Sequence, residues 1–385
     1  MTSLLESLTL GDSLLLRNRV CMGALTRNRC IDNSKPTAST VRHYADRAKD
    51  GVGLIIAEGT AISLHGLEWP DAPMMTEQAH ADAWKKVTDA VHAEGGKIFF
   101  QAWHPGRIQN DEMPLLKATG YPVYSPSPIP APGGKYRTLE GQPCHTQNIT
   151  ELKDPSLVIE QFRHSVALAK EAGFDGVELL AQGHANKRTD KYGGPVENRC
   201  RFALEVIDAI TSVYGPRRTG IKICPVDIHN GSTITYQETT EIYSYLIPQL
   251  VARKLCYINI SRRGCNLGKP GDHHIQLNPR PKECELPEGY DPVKQFGHLI
   301  KNDNSGTLLM VNHMYTPAEA DELVKEGKID MVCFGRPFIH NPDVIDRIRR
   351  NITFAENTRG GNVNYGPFQH PDEFYNDWPR AETEI

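Results

Sequence analysis

The chain has 385 residues, 39% of them apolar and 23% charged, enough for a large core and inconsistent with wholesale disorder. Forty-three Lys and Arg against 47 Asp and Glu leave a net charge of −4, which argues against a nucleic-acid or polyanion binder. No run approaches the about 18 apolar residues of a membrane span, and the acid-bearing start MTSLLESLTLGDSLLL does not read as a secretory leader. Short apolar runs recur along the chain at 20–24, 53–57, 97–101, 176–180, 220–224, 256–260, 308–311 and 331–334. Between them, helical spacing of apolar residues predicts helices over 40–49, 77–94, 156–172, 197–213, 236–253, 316–326 and 342–351. Near-continuous apolar strands alternating with helices imply a parallel sheet buried on both faces. Eight such units imply an α/β fold of one closed (β/α)8 TIM barrel, a single domain spanning 1–385. An open doubly wound sheet would want a glycine-rich phosphate turn after its first strand, and Met22-Gly23-Ala24-Leu25 offers none.

Two stretches exceed the bare barrel. Residues 105–154, with the Pro- and Gly-rich run YPVYSPSPIPAPGG, follow the third strand, and 261–295 follow the sixth. Both are expected as long βα insertions on the C-terminal face, where barrel enzymes carry their sites. The polar tail 350–385 is expected to wrap the barrel. Nine cysteines without a CxxC pair read as reduced thiols in a cytoplasmic setting, not as a disulfide framework or zinc site. The adjacent His273-His274 read as a surface pair, not metal ligands.

Candidate functional residues lie at the C-terminal strand ends: Thr26 after the first strand, Gly59 after the second, Gln101 at the third and Lys222 in the fifth, with Gly335-Arg336 after the eighth. They include no acid pair and no Ser-His-Asp set. Amide and hydroxyl groups suit the edge of a polar planar ring. Lys222 within an apolar strand demands a partner, and an ammonium there neutralises developing negative charge. Gly335-Arg336 is suited to a phosphate. Taken singly, Thr26 is equally an ordinary strand-end hydroxyl and Arg336 a helix-start ion pair.

The blocks GALTRNRC (23–30), GLIIAEGT (53–60), IFFQAWHPGR (98–107), DGVEL (175–179), RTDKYGGPVENRCRFALEVIDAI (188–210), GIKICP (220–225), FGRPFIHNPD (334–343) and YNDWP (375–379) resemble, in order, the old yellow enzyme family of FMN-dependent NAD(P)H:flavin oxidoreductases and ene reductases. The resemblance implies one non-covalent FMN at the barrel mouth and NAD(P)H as co-substrate. It also implies reduction of an activated C=C bond in a small-molecule substrate. In family terms Thr26 meets the isoalloxazine, Gly59 lies at the flavin, Gln101 binds the pyrimidine edge, and Lys222 replaces an arginine near the ring. Gly335 and Arg336 bind the phosphate, and Tyr375 is an aromatic near the flavin face.

The chain also departs from the family. Leu180 stands where the resemblance implies a substrate-binding histidine. The βα loop after Glu178 is short by roughly ten residues, which removes the proton-donor tyrosine segment. Gln182 and His184 remain as candidates for a carbonyl clamp or acid, the latter for its ordinary pKa near neutrality; His184 is equally a solvated loop residue. After the seventh strand, His313 and Met314 replace a small glycine-type pair at the phosphate. Ser261-Arg262-Arg263 are candidates to compensate with positive charge, or form a solvated basic loop. Three readings stand: an FMN oxidoreductase with altered substrate recognition, an isomerase or cyclase without net redox change, and a disabled barrel lacking the strand-four catalytic segment.

Overall fold

Eight parallel strands close on themselves in chain order: β1 (Val20–Met22), β2 (Leu54–Ala61), β3 (Ile98–Trp103), β4 (Gly176–Ala181), β5 (Thr219–Ile223), β6 (Tyr257–Ser261), β7 (Leu308–Asn312) and β8 (Met331–Phe334). The structure is a computed structural model and describes residues 2–67, 69–132, 145–262, 280–302 and 305–382. The (β/α)8 barrel expected from the sequence is thus the fold observed. Each strand follows one of the eight apolar runs because both of its faces are covered. Outward-facing residues such as Ile55, Phe100, Val177, Ile221 and Val311 form one core with the surrounding helices. Inward-facing Leu54, Ile56, Phe99, Tyr257 and Met310 pack on an N-terminal hairpin, Leu8–Leu10 paired with Leu14–Leu16, which seals the lower end. The absent side chains of Gly176 and Gly220 leave room for the rings of Phe99 and Tyr257, stacked 6.1 Å apart.

The helical ring comprises α1 (Ala38–Asp50), α2 (Gln78–Ala93), α3 (Ser156–Glu171), α4 (Val196–Tyr214), α5 (Tyr236–Ala252), α6 (Pro292–Ile300), α7 (Pro317–Lys325) and α8 (Val344–Arg350). Reciprocal capping boxes, Thr37 with Thr40 and Thr235 with Glu238, start α1 and α5. Helix α6 corrects the expected boundary of the second insertion, because it begins inside 261–295. Its start is written in the sequence as Asp291-Pro292: the Asp291 carboxylate accepts from Val293 N, and proline occupies the first helical turn.

The first insertion carries a short helix, Pro114–Thr119, and a parallel ladder of Val123–Ser125 with Ile149–Glu151. Of the second, 263–279 lie outside the described residues, as do His273 and His274. The tail does pack onto the barrel. The buried Arg27 guanidinium donates to the carbonyls of Val363 and Phe374, each at 2.8 Å, and Arg29 donates to Pro371 and Glu373 at 3.0 and 2.6 Å. These bonds clasp residues 363–375 against the loop after β1.

Candidate active site

The mouth of the barrel is shaped by a bulge. Ile56 pairs with Phe99 but Gly59 pairs with Gln101, so β2 spends one residue more than β3 over that step. The extra residue turns Gly59 beside Gln101. It leaves Glu58 facing the β1 loop, where its carboxylate accepts from Arg27 N at 3.1 Å. A Cβ on Gly59 would lie 3.2 Å from Gln101 Oε1, 3.4 Å from Thr26 Oγ1 and 3.4 Å from Trp103 Cε3. Thr26 from the loop after β1, Gly59 from β2 and Gln101 from β3 therefore converge on one small space floored by bare backbone.

A buried network fixes the glutamine. Glu178, 1% exposed, accepts from Gln101 Nε2 at 2.7 Å, from the Tyr257 hydroxyl at 3.1 Å and from Asn259 Nδ2 at 3.3 Å. Asn312 Nδ2 in turn donates to Asn259 Oδ1 at 2.6 Å. With Nε2 directed to Glu178, the Gln101 amide presents its oxygen towards Gly59, an acceptor suited to an N–H on a ring edge. Lys222 pairs with Leu180 on one side and Asn259 on the other. Its neighbours Ile221 and Ile223 face the helices, so Lys222 projects inward, half-buried. The Glu178 network was not anticipated from sequence. The available signal was that inward positions of β3, β4, β6 and β7 change from apolar to polar near the mouth.

At the end of β7, His313 and Met314 both hold left-handed backbone, with φ of 77° and 60°. The chain keeps a glycine-type conformation here with side chains that resist it. Gly335 is half-buried and Arg336 exposed, and Arg336 immediately precedes the short helix Pro337–His340. The compensating charge expected from Ser261-Arg262-Arg263 is not supplied by Arg262. Its guanidinium is engaged by Glu319 and the Met314 carbonyl and lies 3.7 Å from the centre of the Tyr315 ring. Ser261 is buried at the end of β6, and Arg263 lies outside the described residues.

The β4 rim differs from expectation in two respects. Gln182 Nε2 donates to Asp227 Oδ2 at 2.8 Å, which ties the amide to the β5 loop. His184, half-buried, has Nε2 3.5 Å from the Tyr243 hydroxyl, and desolvation pushes its pKa down to about 4. It is therefore a neutral imidazole at physiological pH and does not titrate near neutrality as its ordinary pKa suggested. Tyr375 is fully buried, stacked on His43 at 3.9 Å with the guanidiniums of Arg27 and Arg29 at 5.0 and 4.5 Å from its ring. Burial raises its phenol pKa. Its ring is packed within the tail clasp, between His43 and the guanidiniums of Arg27 and Arg29.

Residues 3–354 match the NADH:flavin oxidoreductase / NADH oxidase family. The chain belongs to this family. It is 33% identical to 12-oxophytodienoate reductase 7 of Oryza sativa subsp. japonica, over 94% of this chain and 91% of that protein. It is 30% identical to a probable flavin mononucleotide-dependent alkene reductase of Leishmania infantum, over 86% of each. The structure of morphinone reductase in complex with tetrahydroNAD superposes with a TM-score of 0.80 at 31% identity, covering 99% of this chain and 98% of that one. The old yellow enzyme resemblance is thereby borne out: this is an FMN-dependent oxidoreductase that draws on NAD(P)H. The donor set fits the cofactor in kind, because bare backbone at Gly59 is bordered by the Gln101 amide oxygen and the Thr26 hydroxyl, an acceptor and a hydroxyl suited to a polar ring edge. No helix among the described residues is long and apolar enough to cross a membrane.

Proposed function

We propose that the protein reduces the C=C bond of an α,β-unsaturated carbonyl compound, a small metabolite, in the cytoplasm. The observation that carries this reading is the convergence of Thr26, Gly59 and Gln101 on one space at the mouth, above a glutamine locked by Glu178. FMN bound here would supply hydride transfer from NAD(P)H to the alkene β-carbon. The Gln101 oxygen and Thr26 hydroxyl would orient the ring, and the inward-facing Lys222 ammonium would offset negative charge on it. The backbone at His313 and Gly335, with the Arg336 guanidinium, would hold the phosphate. Gln182 and His184 border the space for the substrate, His184 as a neutral hydrogen-bonding group. Water entering past exposed Gln182 and Gly183 brings the proton to the α-carbon.

The test is the visible spectrum of the purified protein under anaerobic NADPH, followed by 2-cyclohexenone. Flavin bands that bleach and then return with the enone are the expected result. A protein that neither carries nor takes up FMN, or reduced flavin that no enone reoxidises, overturns the proposal.

A further inference from the structure

Beside the flavin cradle, a cavity of 520 Å³ opens between the ends of β4 and β5 and helices α3–α5. Its deep walls are Val158 and Phe162 from α3, Leu179 and Ile223 from the strands, Val206 from α4 and Ile242 from α5. These side chains belong to the layer between barrel and helices. Here the connection that crosses the gap, residues 182–195, contains neither helix nor strand and reads QGHANKRTDKYGGP. It has almost no apolar side chain to push into the space.

The cavity meets the mouth at Leu180, which lines it and also pairs with the inward-facing Lys222. Of the guanidiniums that line it, Arg188 is paired with Asp190, Arg199 with Glu241, and Arg107 donates to the carbonyls of Ile129, Pro130, Asn230 and Gly231. Rim Glu238 is held by the Thr235 cap of α5, and the Lys187 side chain stands exposed. The deep walls are apolar, the polar lining groups such as His104, Gln182 and His184 lie elsewhere around the cavity, and the volume lies within the range of about 300–1,000 Å³ usual for a small-molecule site.

We infer that this cavity is the second half of the substrate site and receives an uncharged, elongated apolar tail of the enone. The inference rests on the proposed ene reduction for its headgroup, and on the cavity alone for its tail.

The test uses the FMN-loaded protein and trans-3-alken-2-ones from six to fourteen carbons. The kcat/KM should climb about fourfold for each added methylene, the worth of a buried CH2, until the cavity is full. Ala203→Phe, a substitution at a lining position of α4, should flatten the climb and leave the six-carbon substrate unchanged; Ala203→Leu should give an intermediate slope. A flat series in the unaltered protein, or an undiminished slope in Ala203→Phe, overturns the inference. Calorimetric binding of saturated 2-tetradecanone separates it from the proposed activity. Binding that Ala203→Phe weakens at least tenfold supports the tail site even if no enone turns over. Absence of binding to the unaltered protein refutes the tail site even if 2-cyclohexenone is reduced.

Discussion

Glu58 predicts a specific pH dependence of stability. The bulge in β2 buries its carboxyl at 2% exposure, and Arg27 N is the donor at its oxygen. Burial outweighs that bond and the charges of Arg27 and Arg29, and raises the pKa from an ordinary 4.5 to about 7. A group held more tightly protonated in the native state stabilises it at low pH and loses that contribution as pH rises through the folded value. Between pH 5 and 8 the loss integrates to about 2.5 kcal/mol. At an unfolding entropy of about 2.1 cal/mol/K per residue, that is about 3 °C of melting temperature. Glu58→Gln keeps an acceptor for Arg27 N and removes the titration. Scanning calorimetry of both proteins with saturating FMN at pH 5, 6, 7 and 8 should show the unaltered protein losing about 3 °C more than the variant. Parallel melting-temperature curves would refute the assignment of a buried, late-titrating carboxyl to this position.

Three further outcomes are expected. Gly59→Val should leave the fold melting within a few degrees of the unaltered protein. It should cut FMN affinity at least tenfold in fluorescence titration, since even its Cβ stands 3.2 Å from Gln101 Oε1; normal affinity would move the cofactor away from this cradle. Met314→Gly should raise the melting temperature by about 1 °C, because a left-handed, 54% exposed methionine forfeits roughly 1 kcal/mol and little packing. A clear fall would show that the strain is compensated by contacts of the side chain. With His184 held near 4, kcat/KM for 2-cyclohexenone should show no inflection around pH 6.5. An inflection there that disappears in His184→Asn would contradict the neutral imidazole.

Strand order and class are written locally. A strand covered on both faces must be apolar at successive positions, so the runs at 20–24 and 331–334 identify β1 and β8 without tertiary information. Helix α6 carries both signals, Asp291-Pro292 at its start and Val293, Phe296 and Ile300 at helical spacing, but its nine residues are short enough to merge with the long insertion that precedes them. At the site, block matches marked Thr26, Gly59 and Gln101, but their convergence depends on a one-residue slip between β2 and β3 that no local pattern encodes. Glu178 lies 77 residues from the Gln101 amide it orients, and a hydrogen bond over that separation exists only once the barrel has closed. The same limit explains Tyr375. The sequence shows an aromatic near the C-terminus, whereas its stacking on His43, more than 300 residues earlier, decides that it fastens the tail. The short β4 connection is likewise visible as missing length, but the cavity beneath it is a volume between β4, β5 and three helices. By itself the sequence determined which segments must be buried and which residue types reach the mouth, because burial and periodicity are properties of neighbouring residues. Which groups meet, which carboxyl titrates late and where space is left unfilled were decided by tertiary packing, because those depend on distances between strands rather than along them.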